Sequence, residues 1–120
     1  MKYLCLIYED EKVWETMPKA EREKWYGEYF AFSDGIKKSG HYVGSNPLQP
    51  TSAATTVRVR NGKISATDGP FVETKEQLGG YYLIEARDLN EAIQIAAKIP
   101  SARHGTIEVR PVLEIPQRVS

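Results

Sequence analysis

The sequence is poor in the residues that usually announce chemistry. Among its 120 residues there is one cysteine, Cys5, and there are two histidines, His41 and His104. A lone thiol closes no internal disulfide, and a chain of this length can hold a core without one, so a reducing compartment fits. Two histidines in separate segments, with no Cys or Asp at ligand spacing, do not make a metal site. Excess charge is missing too: Lys+Arg and Asp+Glu are 16 each. A surface that neutralises nucleic-acid phosphates, or one that clings to anionic lipid, is not expected from such a balance. No stretch approaches the roughly 18 apolar residues of a membrane span. The apolar run Tyr3 to Tyr8 is too short for a signal peptide, has no small-residue cleavage site and meets Glu9-Asp10-Glu11 at once. A cytoplasmic protein is expected. No phosphate-cradling glycine loop, nucleophile elbow or cofactor motif is present, so no bound cofactor is expected.

What is present reads as one domain over residues 1–120. Residues 2–8 are apolar on both faces and bounded by charge, the pattern of a central strand covered on both sides. Within that run Cys5 reads as a small buried hydrophobe. Residues 9–17 read as an acidic connection. Pro18 then opens a helix to about Lys38, with Trp25, Tyr29, Phe32 and Ile36 on one face and Tyr26 and Phe30 widening it. So many rings exceed what a small sheet needs, and some are candidates to line a cleft or a partner surface. Ser39-Gly40 ends the helix. His41–Gly44 is a short strand broken by Ser45-Asn46-Pro47. Thr55–Arg60 and Lys63–Thr67 flank Asn61-Gly62, a strong hairpin signal because both turn residues need positive φ.

After Asp68-Gly69-Pro70-Phe71 and a charged loop, Tyr81–Ala86 forms a further strand. Asp88 caps the next helix with Glu91 as its box partner. That helix offers Leu89, Ala92, Ile93, Ala96 and Ala97 to the core, and Pro100 stops it. Thr106–Arg110 is the last strand. The order is a ferredoxin-like βαββαβ with an extra β-hairpin, an α+β fold. Helices cover one sheet face only. A second copy packed sheet to sheet would cover the other, so a homodimer is expected.

The stretch Ala66–Glu76 with Gly79-Gly80-Tyr81-Tyr82, and the ending Gly105–Val112, resemble DGPF-type members of the YCII-related family. The resemblance covers about residues 1–115. It implies a dimeric α+β barrel and, for some members, association with extracytoplasmic-function sigma factors. The wider superfamily includes small monooxygenases, isomerases and dehalogenating enzymes that work in a cleft beside the sheet. One branch of the family is thought to use a histidine on the first helix and an acid near that helix's end. Lys19–Lys38 contains no histidine, and Lys38 and Ser39 precede Gly40, so that pair does not carry over.

Asp68 is the candidate catalytic acid or base, since a carboxylate at a strand end can face a cleft. The same residue also suits a side-chain-capped turn, with Gly69 held extended by the following proline. Phe71 is a candidate to close over an apolar ligand or to fill the local core. Lys75 and Arg110 are candidates to pair a ligand carboxylate, or simply surface charges. Tyr82 and His41 complete the candidate ligand-binding set, and Gly79-Gly80 suggest a bulge or a close backbone approach. The functional expectation is a small homodimeric protein that binds a small organic molecule in an apolar, tyrosine-rich cleft. It is either an enzyme built on Asp68 or a non-catalytic accessory dimer.

Overall fold

In a computed structural model, which describes residues 1–116, the chain forms an antiparallel sheet, three helices and a detached hairpin. The strands are β1 (Lys2–Glu9), β2 (Tyr42–Pro47), β3 (Thr55–Arg60), β4 (Lys63–Asp68), β5 (Gln77–Glu85) and β6 (Thr106–Pro111). The helices are α1 (Glu11–Glu15), α2 (Lys19–Lys38) and α3 (Leu89–Ala96). The main sheet has the order β2-β5-β1-β6, with β1 antiparallel to both β5 and β6 and β2 antiparallel to β5. That order, with α2 and α3 in the crossovers, is the ferredoxin-like α+β arrangement.

Strand periodicity decides the two faces. Tyr3, Cys5, Ile7, Tyr82 and Ile84 point to the helices and are buried. They pack with Ile36 of α2, with Ala92, Ile95 and Ala96 of α3, and with Ile99. Cys5 is fully buried, and burial pushes its thiol up to about 11, so it is an inert core group. The opposite face carries Leu4, Leu6, Tyr81 and Leu83, all half-buried, in cross-strand register Leu4↔Leu83 and Leu6↔Tyr81.

Several local expectations need correction. Residues 9–17 are not a plain connection: β1 runs to Glu9, and Asp10 caps the short α1 by accepting from the Lys12 N–H at 3.0 Å. Strand β2 runs on through Ser45-Asn46-Pro47, because at this sheet edge it needs bonds on one side only. β5 starts at Gln77, and the register slips where Ile7 faces Gly80 and Tyr8 faces Leu78, leaving Gly79 as a bulge. A Cβ on Gly80 would lie 3.0 Å from the Asn46 carbonyl oxygen, so Gly80 serves a close approach of β2, whereas Gly79 has open space around it. On α3 the core face is Ala92, Ile95 and Ala96, whereas Leu89, Ile93 and Ala97 are not buried in it. The Asp88 cap forms as expected, with the Glu91 N–H donating to Asp88 Oδ1 at 2.9 Å.

The hairpin β3–β4 turns at Asn61 (φ 53°) and Gly62 (φ 75°), both left-handed as the turn requires. Among the described residues it pairs with no other strand. Its cross-strand pairs Val57↔Ala66 and Val59↔Ile64 make an apolar face, yet Val57, Val59 and Ile64 are 62%, 57% and 77% exposed. The radius of gyration, 16.9 Å, exceeds the roughly 13–14 Å of a compact domain of this length, as an outstanding hairpin requires. At its base Gly69 adopts φ 101° rather than the extended form. Its N–H donates to the Ala54 carbonyl at 2.7 Å and its carbonyl accepts from the Thr56 hydroxyl at 2.8 Å, which bends the chain out of the hairpin.

Candidate functional site

A cleft of about 540 Å³ opens between α2, the end of β1, and the strap Leu48–Pro50 that follows β2. Its walls are aromatic: Trp14 of α1, Trp25, Tyr26, Tyr29 and Phe30 of α2, and Tyr82 of β5 all line it. Tyr26 and Phe30, which the core does not use, are 51% and 67% exposed. These are the surplus rings of the helix. Trp14 meets Tyr26 edge-on at 5.4 Å, and Tyr29 stacks parallel to Tyr82 at 6.4 Å.

The strap is held at both ends. The Leu48 N–H donates to the Gly79 carbonyl at 2.9 Å. Further on, the Glu11 carboxylate accepts from the Thr51 N–H at 2.6 Å and from the Thr51 hydroxyl at 2.8 Å. Gln77 braces the other side of α1 by accepting from the Glu11 N–H at 2.9 Å.

The floor of the cleft is polar. Glu9 continues the inward row Tyr3, Cys5, Ile7 by one more period, so its carboxylate enters where the apolar core ends. Ser101, fully buried in the 3₁₀ turn Pro100–Arg103, donates its hydroxyl to Glu9. A serine hydroxyl has one proton, so the bond between Tyr29 and Ser101 is donated by Tyr29. The chain Tyr29→Ser101→Glu9 thus points its protons at the carboxylate. Beside it the Ser33 and Tyr82 hydroxyls bond at 2.7 Å. Burial, reinforced by the nearby Glu76 carboxylate, raises the Glu9 carboxyl above its ordinary value. Burial likewise raises the Tyr29 and Tyr82 hydroxyls, which stay neutral. A carboxyl tuned upward beside neutral hydroxyls can exchange a proton with a bound molecule and hydrogen-bond its polar end.

The expected site residues do not converge. Tyr82 lines the cleft. Asp68 faces Thr55 at the base of the hairpin, is exposed and lines neither this cleft nor the smaller one beside it. Among the described residues its carboxylate forms no hydrogen bond, so the side-chain-capped turn is not formed either. Phe71 is 76% exposed, and Lys75 stands exposed in the loop before β5. His41 ties the end of α2 to α3, bonding Ser39 at 2.6 Å and Glu91 at 3.2 Å. Arg110 lies opposite Leu4, where it pairs with Glu108. Asp34, the acid of the last turns of α2, lines neither cleft. Of the polar groups at the site, sequence reading missed Glu9 and Ser33, which line the cleft, and Ser101, which is buried behind Glu9. Period two extended one step beyond Ile7 would have found Glu9.

The YCII-related domain matches residues 1–116. The chain belongs to that family. An uncharacterised protein of Rhizobium meliloti (strain 1021) is 39% identical, over 93% of this chain and 92% of its own length. Membership in the YCII-related family agrees with the fold. No helix among the described residues is long and apolar enough to cross a membrane.

Proposed function

We propose that the protein binds a small organic molecule in the aromatic cleft, with its polar end on Glu9 and the hydroxyls of Tyr29 and Tyr82. The observation that carries this reading is a cavity of about 540 Å³, walled by rings and floored by a partly buried carboxyl with its own hydrogen-bond chain. Ligand pockets run to roughly 300–1,000 Å³ and share this design of apolar walls with a few convergent polar groups. Glu9, rather than Asp68, is the carboxyl placed for acid–base work.

A thermal-shift screen of small aromatic compounds against wild type, Trp14→Ala and Asp68→Ala tests it. Compounds that raise the melting temperature of wild type and Asp68→Ala, but not of Trp14→Ala, support the cleft. Hits that depend on Asp68 and ignore Trp14 would overturn it.

The outer sheet face supports a second element, a homodimer through Leu4, Leu6 and Leu83, with the bare apolar face of the hairpin as a further contact. Sedimentation at micromolar concentration should give twice the 13.6 kDa of one chain, and Leu6→Asp should return it to one. A single-chain mass for the wild type would refute the dimer.

A further inference from the structure

The charges that line the aromatic cleft are all of one sign. Glu9 stands at its floor, Asp10 and Glu11 at its edge and Glu15 on α1, whereas no Lys, Arg or His lines it among the described residues. The chain as a whole is electrically balanced, so this one-sidedness belongs to the cleft and not to the composition. The neighbouring basic groups are engaged elsewhere. Arg22 donates to the carbonyls of Trp14 at 3.0 Å and Glu15 at 3.1 Å. Arg103 pairs with Glu28 and, with Lys24, lines the smaller adjoining cleft instead.

A carboxylate or phosphate entering this cleft would meet carboxylates and the negative faces of rings, with no fixed cation to receive it. An ammonium group meets the reverse. Ring faces attract cations, most strongly when water is excluded, and a carboxylate at the floor completes the complement. The fold already uses this contact on its own cations: the Lys37 ammonium lies 4.8 Å from the Tyr42 ring centroid, and the Arg22 guanidinium 5.4 Å from that of Trp14.

Resting on the ligand-binding reading above, we infer that the cleft selects an organic cation, an amine or quaternary ammonium carried on an aromatic or bulky apolar body, over neutral or anionic molecules of the same shape. Such a ligand reverses the expectation that Lys75 and Arg110 would receive a carboxylate. Those two side chains are exposed and line neither cleft.

The two tryptophans of the chain, Trp14 and Trp25, both line the cleft, so its occupancy is read by intrinsic fluorescence. Phenethylamine, 2-phenylethanol and 3-phenylpropionate, a cation, a neutral molecule and an anion of similar size, are titrated at neutral pH. The ammonium should bind about tenfold more tightly than the alcohol, the scale of a desolvated cation–ring contact, and the propionate weakest. Glu9→Gln should bring the amine close to the alcohol without weakening the alcohol. Glu15→Gln, on the exposed surface of α1, should narrow the gap by a smaller factor, and it serves alone if Glu9→Gln fails to fold. Alcohol or propionate binding as well as the amine would overturn the cation preference while leaving the ligand-binding cleft in place. A preference that survives the carboxylate substitutions would overturn it as well. Binding of none of the probes would overturn both.

Discussion

Replacing Ser101 by alanine removes one oxygen and should disturb both the fold and the cleft. Ser101 is fully buried, and its hydroxyl joins the Tyr29 hydroxyl to the Glu9 carboxyl. The substitution opens little space but strips two neighbours of their partner. A buried polar group left unpaired costs about 1–3 kcal/mol, more when charged. Both neighbours also reach the cleft, where water can take over part of the bonding. The expected loss is therefore about 2 kcal/mol rather than two full penalties. A domain of 120 residues has an unfolding entropy on the order of 250 cal/mol/K, so the melting temperature should fall by about 8 °C. Ser33→Ala, which breaks only the half-buried bond to Tyr82, is the comparison and should cost about 1 kcal/mol. Urea unfolding and calorimetry of the two variants beside wild type make the measurement. If Ser101→Ala melts within about 2 °C of wild type, the hydroxyl does not link helix and strand.

The raised Glu9 carboxyl gives a pH dependence of fixed sign: the folded protein holds this proton more tightly than the unfolded chain, so the associated stability is full below the ordinary value of 4.5 and is lost as pH rises through the higher folded value. Glu76, Tyr29 and Ser101 face this carboxyl, and Glu9→Gln removes its titration; urea midpoints of the pair should therefore shift in the variant's favour on going up from pH 4.5, and a constant difference would refute the assignment. Gly105→Ala should destabilise by about 3 kcal/mol or fail to fold, because the new Cβ would stand 2.1 Å from the Tyr8 carbonyl oxygen and 3.0 Å from Glu9 Cγ; a variant with the wild-type melting curve would show that β1 and the 3₁₀ turn do not approach so closely. Gly62→Val forces a branched side chain into φ 75° and costs about 1–2 kcal/mol, but among the described residues the hairpin pairs with no other strand. Amide protection should then fall in β3 and β4 alone with the global melting temperature nearly unchanged, and a general loss of protection would mean that the hairpin is part of the core.

Local chemistry makes most of the fold legible. The helix α2 is readable from Pro18 at its start, Gly40 past its end and the ring spacing between them, and those features also decide its observed limits. The Asn61-Gly62 turn is readable because a two-residue hairpin needs two adjacent left-handed residues, and asparagine followed by glycine adopts that pair with the least strain. The segments that sequence misjudges depend on their neighbours. Nothing local in Ser45-Asn46-Pro47 favours a strand, and it becomes one because Tyr81 and Tyr82 of β5 lie alongside. The inward face of α3 differs from the expected one by about one position per turn, since alanines fit either against the sheet or toward solvent and only the packing against Ile84 and Ile99 selects.

The site is harder to read because its members are chemically ordinary apart and distinctive only together. Asp68 stands out as an acid in a glycine–proline turn, a setting that reflects backbone geometry and says nothing about a cavity. Glu9 is hidden within an acidic run, although its parity with Tyr3, Cys5 and Ile7 marks it as the inward member of that run. Ser101 lies 92 residues further along the chain and reaches Glu9 only because the α3 crossover returns the chain beside the end of β1. The sheet order β5-β1-β6 explains why chemistry collects there. A central strand is covered along its length by helices, but where it runs past their cover its last inward side chain opens into the gap between helix and connection. Polar residues are tolerated in that gap only when they satisfy one another, as Tyr29, Ser101 and Glu9 do. A ligand that takes over one of those bonds competes with the protein's own network, so binding at Glu9 and stability at Ser101 should trade against each other in every variant of either residue.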